Sequence, residues 1–225
     1  MQARKKVVVL YMVDMHSHIL FGIDDGACDI AESRRMLNAA KSSHVNKIIA
    51  TPHAKSIHFD RQLVYERFYE LRQIAKKKGI TLKLGFEVHW NFLLALKESH
   101  YSDFCIENTR QMLLEFSLSA NELPQNHDQI IYQLQRNGIG IIIAHPERYR
   151  FVQKDYSIAE RWIDMGCQLQ LDASCLLKIR DLKSMVLSRK LFSADMYQVV
   201  ASDAHCAKDY EDFGKACAWI KKQTG

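Results

Sequence analysis

The residues able to do chemistry in this chain are histidines and carboxylates, and they recur where apolar runs end. His16 and His18 lie two apart in residues 13–19, which alternate apolar and polar as a strand does. Side chains two apart in a strand share a face, so both rings aim at one point and make half of a metal site. Asp24, Asp25 and Gly26 then form an acidic turn. A lone His-x-His pair is as readily two ordinary histidines, and only further ligands downstream give it weight. His53, Glu87, Glu115, His145, Asp203 and His205 each fall at or near the end of a further strand-like run, and Asp25 lies just beyond one. Glu87 and Glu115 stand in otherwise apolar runs, where a carboxylate persists only if paired or metal-bound. Five imidazoles with four carboxylates and no thiolate suit Zn, Mn or Fe(II) rather than Mg, Ca or a soft metal. Nine ligands exceed what one ion needs, so two or three are implied. Ions about 3.5–4 Å apart are the usual apparatus for hydrolysing phosphate esters, with a hydroxide between them attacking phosphorus.

Such a cluster needs elements to carry it. Strand patterns at 13–19, 47–51, 81–89, 111–117, 139–144, 167–171 and 197–202 alternate with helical stretches. Asp29-Ile-Ala-Glu32 is a D-x-x-E start, with a cap and a returning carboxylate, and the helix runs to His44 in a slot glycine usually fills. A second helix covers 61–78 and stops at Gly79. Residues 90–101 are helix-like, 128–137 form a helix closed by Gly138, 159–165 one stopped by Gly166, and 179–191 and 210–222 are helical. About seven strand–helix units in succession make a parallel sheet wrapped by helices. Strands this apolar on both faces fit a closed or nearly closed β/α barrel, whose C-terminal rim is where active sites are built. A doubly wound open sheet is the alternative, but no glycine-rich turn follows the first strand.

The 225 residues suit a single domain over 1–225, with residues 1–11 reading as an N-terminal extension. The net charge of +5 is scattered, favouring anionic substrates without the basic stripe of a nucleic-acid binder. Six cysteines, widely spaced and without a CxxC pair, point to a reducing compartment. Arg4-Lys5-Lys6 before an apolar 7–13 imitates a signal peptide, but the run is short and leads directly into Asp14 and His16, so it reads as strand. No run approaches the roughly 20 apolar residues that cross a bilayer, and a soluble, cytoplasmic protein is expected. Cys28 and Arg34 match the C-x5-R spacing of cysteine-dependent tyrosine phosphatases. Asp29 and Glu32 inside the loop would repel phosphate and no glycine is present, so the match is taken as chance.

With Asp14-Met-His-Ser-His18, Asp24-Asp-Gly26, Thr51-Pro-His53, Glu87, Glu115, Ala144-His-Pro-Glu-Arg148 and Ser202-Asp-Ala-His205 in this order, residues 12–210 resemble the polymerase-and-histidinol-phosphatase (PHP) superfamily. More narrowly, the chain is similar to bacterial manganese-dependent protein-tyrosine phosphatases of capsule and exopolysaccharide loci. The resemblance implies a distorted seven-stranded barrel. It also implies one metal on His16, His18, Glu87 and Asp203, a second bridged by Glu87 and held by Glu115 and His145, and a third on Asp25, His53 and His205. Residues 1–11 and a chain end soon after the last helix depart from the pattern, as does Lys178 where the family often has glycine.

The expected activity is hydrolysis of phosphotyrosine by a metal-held hydroxide, on the tail of a membrane-associated polysaccharide-synthesis kinase. Manganese is the expected metal, with Fe or Zn as alternatives. Rival expectations are a phosphatase for a small phosphomonoester such as histidinol phosphate, a phosphodiesterase or nuclease, and a metal-binding adaptor without turnover. Arg148, three residues beyond His145 and past the stiff Pro146, is placed to fork two phosphate oxygens; the competing reading pairs it with Glu147 or a loop carboxylate.

Overall fold

The computed structural model describes residues 13–56, 59–177 and 181–224. The strand reading over 7–12, the extension 1–11 and Lys178 therefore lie outside the described residues.

Nine strands are present among the described residues, all paired in parallel: β1 (Val13–Ser17), β2 (Lys47–Ala50), β3 (His53–Ala54), β4 (Thr81–Leu84), β5 (Glu87–His89), β6 (Gln111–Glu115), β7 (Gly140–Ile143), β8 (Gln168–Asp172) and β9 (Val199–Ala201). Their hydrogen-bonded orders are β1-β2-β4 and β3-β5-β6-β7-β8-β9. Because β2 runs on into β3 and β4 into β5, the nine strands make seven staves of a curled sheet. Its two edges meet where Ser17 bridges Ala204, with His18 N donating to Ala204 O at 2.8 Å and Asp203 N to His16 O at 3.0 Å. This is the distorted β/α barrel expected, closed by a short seam.

The expected single strand at 81–89 is instead two. The break falls at Gly85, where a Cβ would meet Ile106 at 3.0 Å and Ile49 at 3.2 Å, so the chain passes tight against the barrel interior and re-pairs in the other sheet. β1 is shorter than expected and its register shifts between Asp14 and Ser17, leaving His18 just past the strand end.

Alternation along the staves sorts the core. Ile49, Leu113, Ile142 and Ala144 meet inside the barrel with Ile106, while Ile48, Met112, Leu114, Ile141 and Ile143 join the larger core beneath the helices. The inner cluster forms an apolar floor. Glu115 follows Leu113 by two residues and so shares the inward face.

The helices are α1 (Ile30–Ser42), α2 (Arg61–Lys77), α3 (Trp90–Ala95), α4 (His127–Arg136), α5 (Arg150–Lys154), α6 (Ser157–Asp164), α7 (Leu182–Ser193) and α8 (Ala207–Thr224). Asp29 caps α1, accepting from Glu32 N, and His44 does take the left-handed backbone, φ 63°. The Glu32 carboxylate does not return to the cap, however; it binds Arg35 and accepts from Ala207 N, tying α1 to the start of α8. Residues 90–101 are only partly α-helical, continuing as a 3-10 turn over Glu98–Phe104, and α5 has no counterpart in the sequence reading. Among the described residues no helix is long and apolar enough to cross a membrane.

Candidate metal centre

Glu87 is the residue on which the rim converges. It opens β5, is 1% exposed, and each of its oxygens faces a different pair of imidazoles. Oε1 lies 2.9 Å from His145 Nε2 and 3.4 Å from His16 Nε2; Oε2 lies 2.9 Å from His53 Nδ1 and 3.3 Å from His18 Nε2. The Nε2 atoms of His16 and His18 are 3.1 Å apart, and both approach Asp203 Oδ1, at 3.1 and 3.3 Å. Two imidazole nitrogens that close must share a proton or a cation.

The structure brings all nine expected ligand residues together. Four overlapping sets offer ligand atoms within 4.8 Å of one another: His18, Asp25, His53 and His205; His16, Glu87 and His145; His16, His18 and Asp203; His53, Glu87 and Glu115. His18 thus belongs to two sets, and its ring stacks on His205 with centroids 4.2 Å apart.

Outer partners fix how the rings point. His16 Nδ1 pairs with Gln170 Oε1 at 3.0 Å, His18 Nδ1 with Asp24 Oδ2 at 2.8 Å, and His205 Nδ1 with the Asp203 carbonyl at 2.8 Å. Each pairing assigns the ring proton to Nδ1 and leaves the Nε2 lone pair facing the cluster, the arrangement typical of metal-ligating histidine. Asp24 also accepts from His53 N and Gly26 N, and the His18 imidazole, followed by these amides, holds its carboxyl down at about 2 against the upward push of burial. The Asp-Asp-Gly turn therefore divides its labour: Asp24 orients His18, and Asp25 faces His53 and His205 at 3.3 and 3.6 Å.

Two of the expected ligand residues have backbones that resist prediction. Alternation from Ile141 and Ile143 would send His145 outward, but a φ of 29° swings it back over the rim; Asp203 also has a positive φ, 49°. Such strain outside glycine persists where surrounding contacts over-determine it.

The charges lock together. Burial would lower His16, but Glu87 and Asp203 raise it to about 9; His18 is raised by Asp203, Asp24 and Glu87 against the same burial. Glu87 and Asp203 are held well below the usual carboxylate range by these imidazoles, although burial opposes it. Glu115 goes the other way: burial and the adjacent Glu87 push it up to about 8. The donor set fits divalent cations. Glu115 Oε2 and His145 Nδ1 are buried with no hydrogen-bond partner, and His53 Nδ1 lies close to Glu87 but outside hydrogen-bonding geometry.

Arg148 ends a 3-10 turn, Pro146–Arg148, and reaches the cluster's edge, donating to Asp203 and lying 3.6 Å from Asp172. Its neighbour Glu147 points into the interior instead. There it accepts from Asp172 N and Tyr197 Oη, and burial beside Asp172 raises it to about 8. Gln170, Asp172 and the orienting role of Asp24 were not anticipated. The Gln168-Leu-Gln-Leu-Asp172 alternation carried the signal, since Leu169 and Leu171 pack outward and leave the polar residues for the inside. Cys28 and Arg34 are both exposed, and two of the amides between them, Glu32 N and Ser33 N, already donate to the side chain and carbonyl of Asp29 at the start of α1.

Residues 12–225 match the model of a protein family described as capsular polysaccharide synthesis, CpsB/CapC. The chain belongs to this family. CpsB/CapC relatives include the CapC protein of Staphylococcus aureus, 34% identical over 200 residues, covering 86% of this chain and 77% of that protein. The tyrosine-protein phosphatase YwqE of Bacillus subtilis is 31% identical over 201 residues, covering 88% and 78%. Crystal structures of YwqE and of Streptococcus pneumoniae CpsB are described as unique metal-dependent tyrosine phosphatases. A chain of that work superposes with a TM-score of 0.82 at 27% identity, over 95% of this chain and 87% of the other. A histidinol phosphate phosphatase of Lactococcus lactis shares the fold alone, with a TM-score of 0.54 at 16% identity.

Proposed function

We propose that this CpsB/CapC chain is a metal-dependent protein-tyrosine phosphatase that releases phosphate from tyrosine residues of a polysaccharide-synthesis kinase in the cytoplasm, as one domain spanning residues 1–225. The observation that carries this reading is Glu87, whose two oxygens each face two imidazoles, in a chain 31% identical to a tyrosine-protein phosphatase. His16, His18, Asp203 and Glu87 would hold one ion, Glu87, Glu115 and His145 a second, and Asp25, His53 and His205 a third, manganese being the metal proposed. When bound, these ions supply Lewis acidity toward phosphoryl oxygens and an activated water as nucleophile.

The protein's own groups do the rest. Gln170 and Asp24 keep the Nδ1 protons of His16 and His18 away from the centre, so their Nε2 atoms stay available as donors. The apolar floor of Ile49, Leu113 and Ile142 closes the barrel beneath the site. Asp203 and Asp172 hold Arg148 in place and charged, leaving the rest of its fork to bind phosphoryl oxygens. Phenolate, with a pKa near about 10, is a tolerable leaving group, so no dedicated general acid is required.

The test is turnover by purified, Mn-loaded protein of a phosphotyrosine peptide beside histidinol phosphate. Peptide hydrolysis abolished by chelation, restored by Mn and retained in Cys28→Ser is expected. Turnover of histidinol phosphate without the peptide would move the protein to the small-substrate reading, and a folded, metallated but inactive Cys28→Ser enzyme would replace the metal mechanism.

A further inference from the structure

Arg148 belongs to two places at once. One side of it meets Asp203; the other lines a cavity of about 1150 Å³ that leads away from the cluster. The walls are the loop after β6, the start of α5 with Tyr156, and the first turns of α7. This volume exceeds the roughly 300–1,000 Å³ of pockets that enclose small ligands, so a small phosphomonoester would leave most of it empty.

Its chemistry is one-sided. Among the described residues, Arg148, Arg150, Lys154, Lys183 and Lys190 line it, against a single carboxylate, Asp181. Asp181 is already engaged in capping α7, accepting from the amide and hydroxyl of Ser184. Lys190 stands 3.2 Å above the Tyr156 ring. Between the cations are apolar side chains, and two of them, Leu182 and Val186, are 56% and 58% exposed. One turn apart on α7, they present an apolar strip alongside the charges. Exposed apolar residues rimmed by one sign of charge mark a binding surface rather than a solvated helix face.

We propose that this groove docks the polypeptide flanking the phosphotyrosine, and that it selects an extended acidic segment. The inference rests on the phosphotyrosine reading above and adds the substrate's sequence character to it. The phosphotyrosine enters the metal cluster past Arg148, and the flanking residues lie along α7. Their carboxylates meet Arg150, Lys154 and Lys183, and their apolar side chains cover Leu182 and Val186. A bare polyanion would satisfy the cations but leave that apolar strip in water.

The test uses the double variant Arg150→Glu/Lys183→Glu. Both positions lie in the first turn of a helix, α5 or α7, where the helix dipole accepts a carboxylate, so folding is preserved. Binding of fluorescein-labelled phosphotyrosine peptides, one flanked by Asp and Glu and one by Ser and Gly, is read by anisotropy at low and at physiological salt. Wild-type protein should prefer the acidic peptide by at least fivefold, and salt should weaken that preference. The double variant should lose the preference, and KM for the acidic peptide should rise with little change in kcat. Equal affinity of wild type for the two peptides, or an undiminished preference in the variant, overturns the proposal. Preferential binding without hydrolysis of either peptide would instead leave the groove standing and remove the phosphatase reading.

Discussion

Glu87 and Arg148 illustrate how much a single side chain can be asked to do. The carboxylate of Glu87 touches both halves of the cluster, so Glu87→Gln, which keeps the shape but loses the charge, should release metal as well as rate. Full wild-type metal content in that variant, by elemental analysis, would show that Glu87 is not the bridge. Arg148 is held by Asp203 and Asp172 rather than by Glu147. Its removal frees the Asp203 carboxylate as well as removing the guanidinium proposed to bind phosphate. Arg148→Ala should keep its metals and lose about 2–4 kcal/mol of transition-state stabilisation, the scale of one preorganised donor. Arg148→Lys, without the planar fork, should recover part of this. An Ala variant within about threefold of wild type in kcat/KM on a phosphotyrosine peptide would sink the role. At this scale the clustering of these residues was readable because imidazoles and carboxylates at the ends of apolar strands are costly to bury unless they share a cation or pair with one another. For Gln170 the alternation with leucines marked an inward face but not a role, because an inward amide is compatible with many surroundings.

Among the elements, the Asp-Asp-Gly turn is the most constrained. A Cβ on Gly26 would fall on the His18 carbonyl oxygen and lie 2.5 Å from His18 Cβ, with backbone on one side and no flexible neighbour to yield. Gly26→Ala should therefore push the turn off β1, dislodge Asp24 from His18 and Asp25 from His53, and cost about 1–3 kcal/mol or more. Denaturant unfolding with metal analysis decides it: a variant with wild-type stability and metal content would contradict the close approach. Strand and helix order were legible from periodicity and from glycines at helix ends. The break at Gly85 was not, because Thr81 to His89 alternates without interruption and only the proximity of Ile49 and Ile106 divides it. Nor was the turn of His145, since its strand gives no local sign that a left-handed residue comes next.

For the whole molecule, protonation opposes metallation. His16 at about 9 and Glu115 at about 8 both sit above their ordinary values, so at these two positions the folded metal-free protein holds more protons than the unfolded chain, while burial shifts His145 and His205 the other way. The stability they contribute is present below the unfolded pKa and falls as pH rises through the folded one, over about pH 6.5–9 for His16 and about 4.5–8 for Glu115. Metal ligation needs those same groups deprotonated, so it strengthens over the same range. The melting temperatures of Mn-loaded and chelated protein should therefore diverge between about pH 6 and pH 9. A constant or narrowing gap would argue against these groups as ligands.

The seam between β1 and β9 has a consequence for the protein's history in the cell. His16 and His18 come from the first described strand and the residue just past it, and Asp203 and His205 from the turn after the last. Loop-closure entropy makes so distant a pairing late in folding. Glu87 can meet His16 and His18 from the middle of the chain, but Asp203 and His205 reach them only once the seam has closed. Assembly of the proposed metal centre thus coincides with closure of the barrel, and a chain stopped before β9 would lack the partners that complete it.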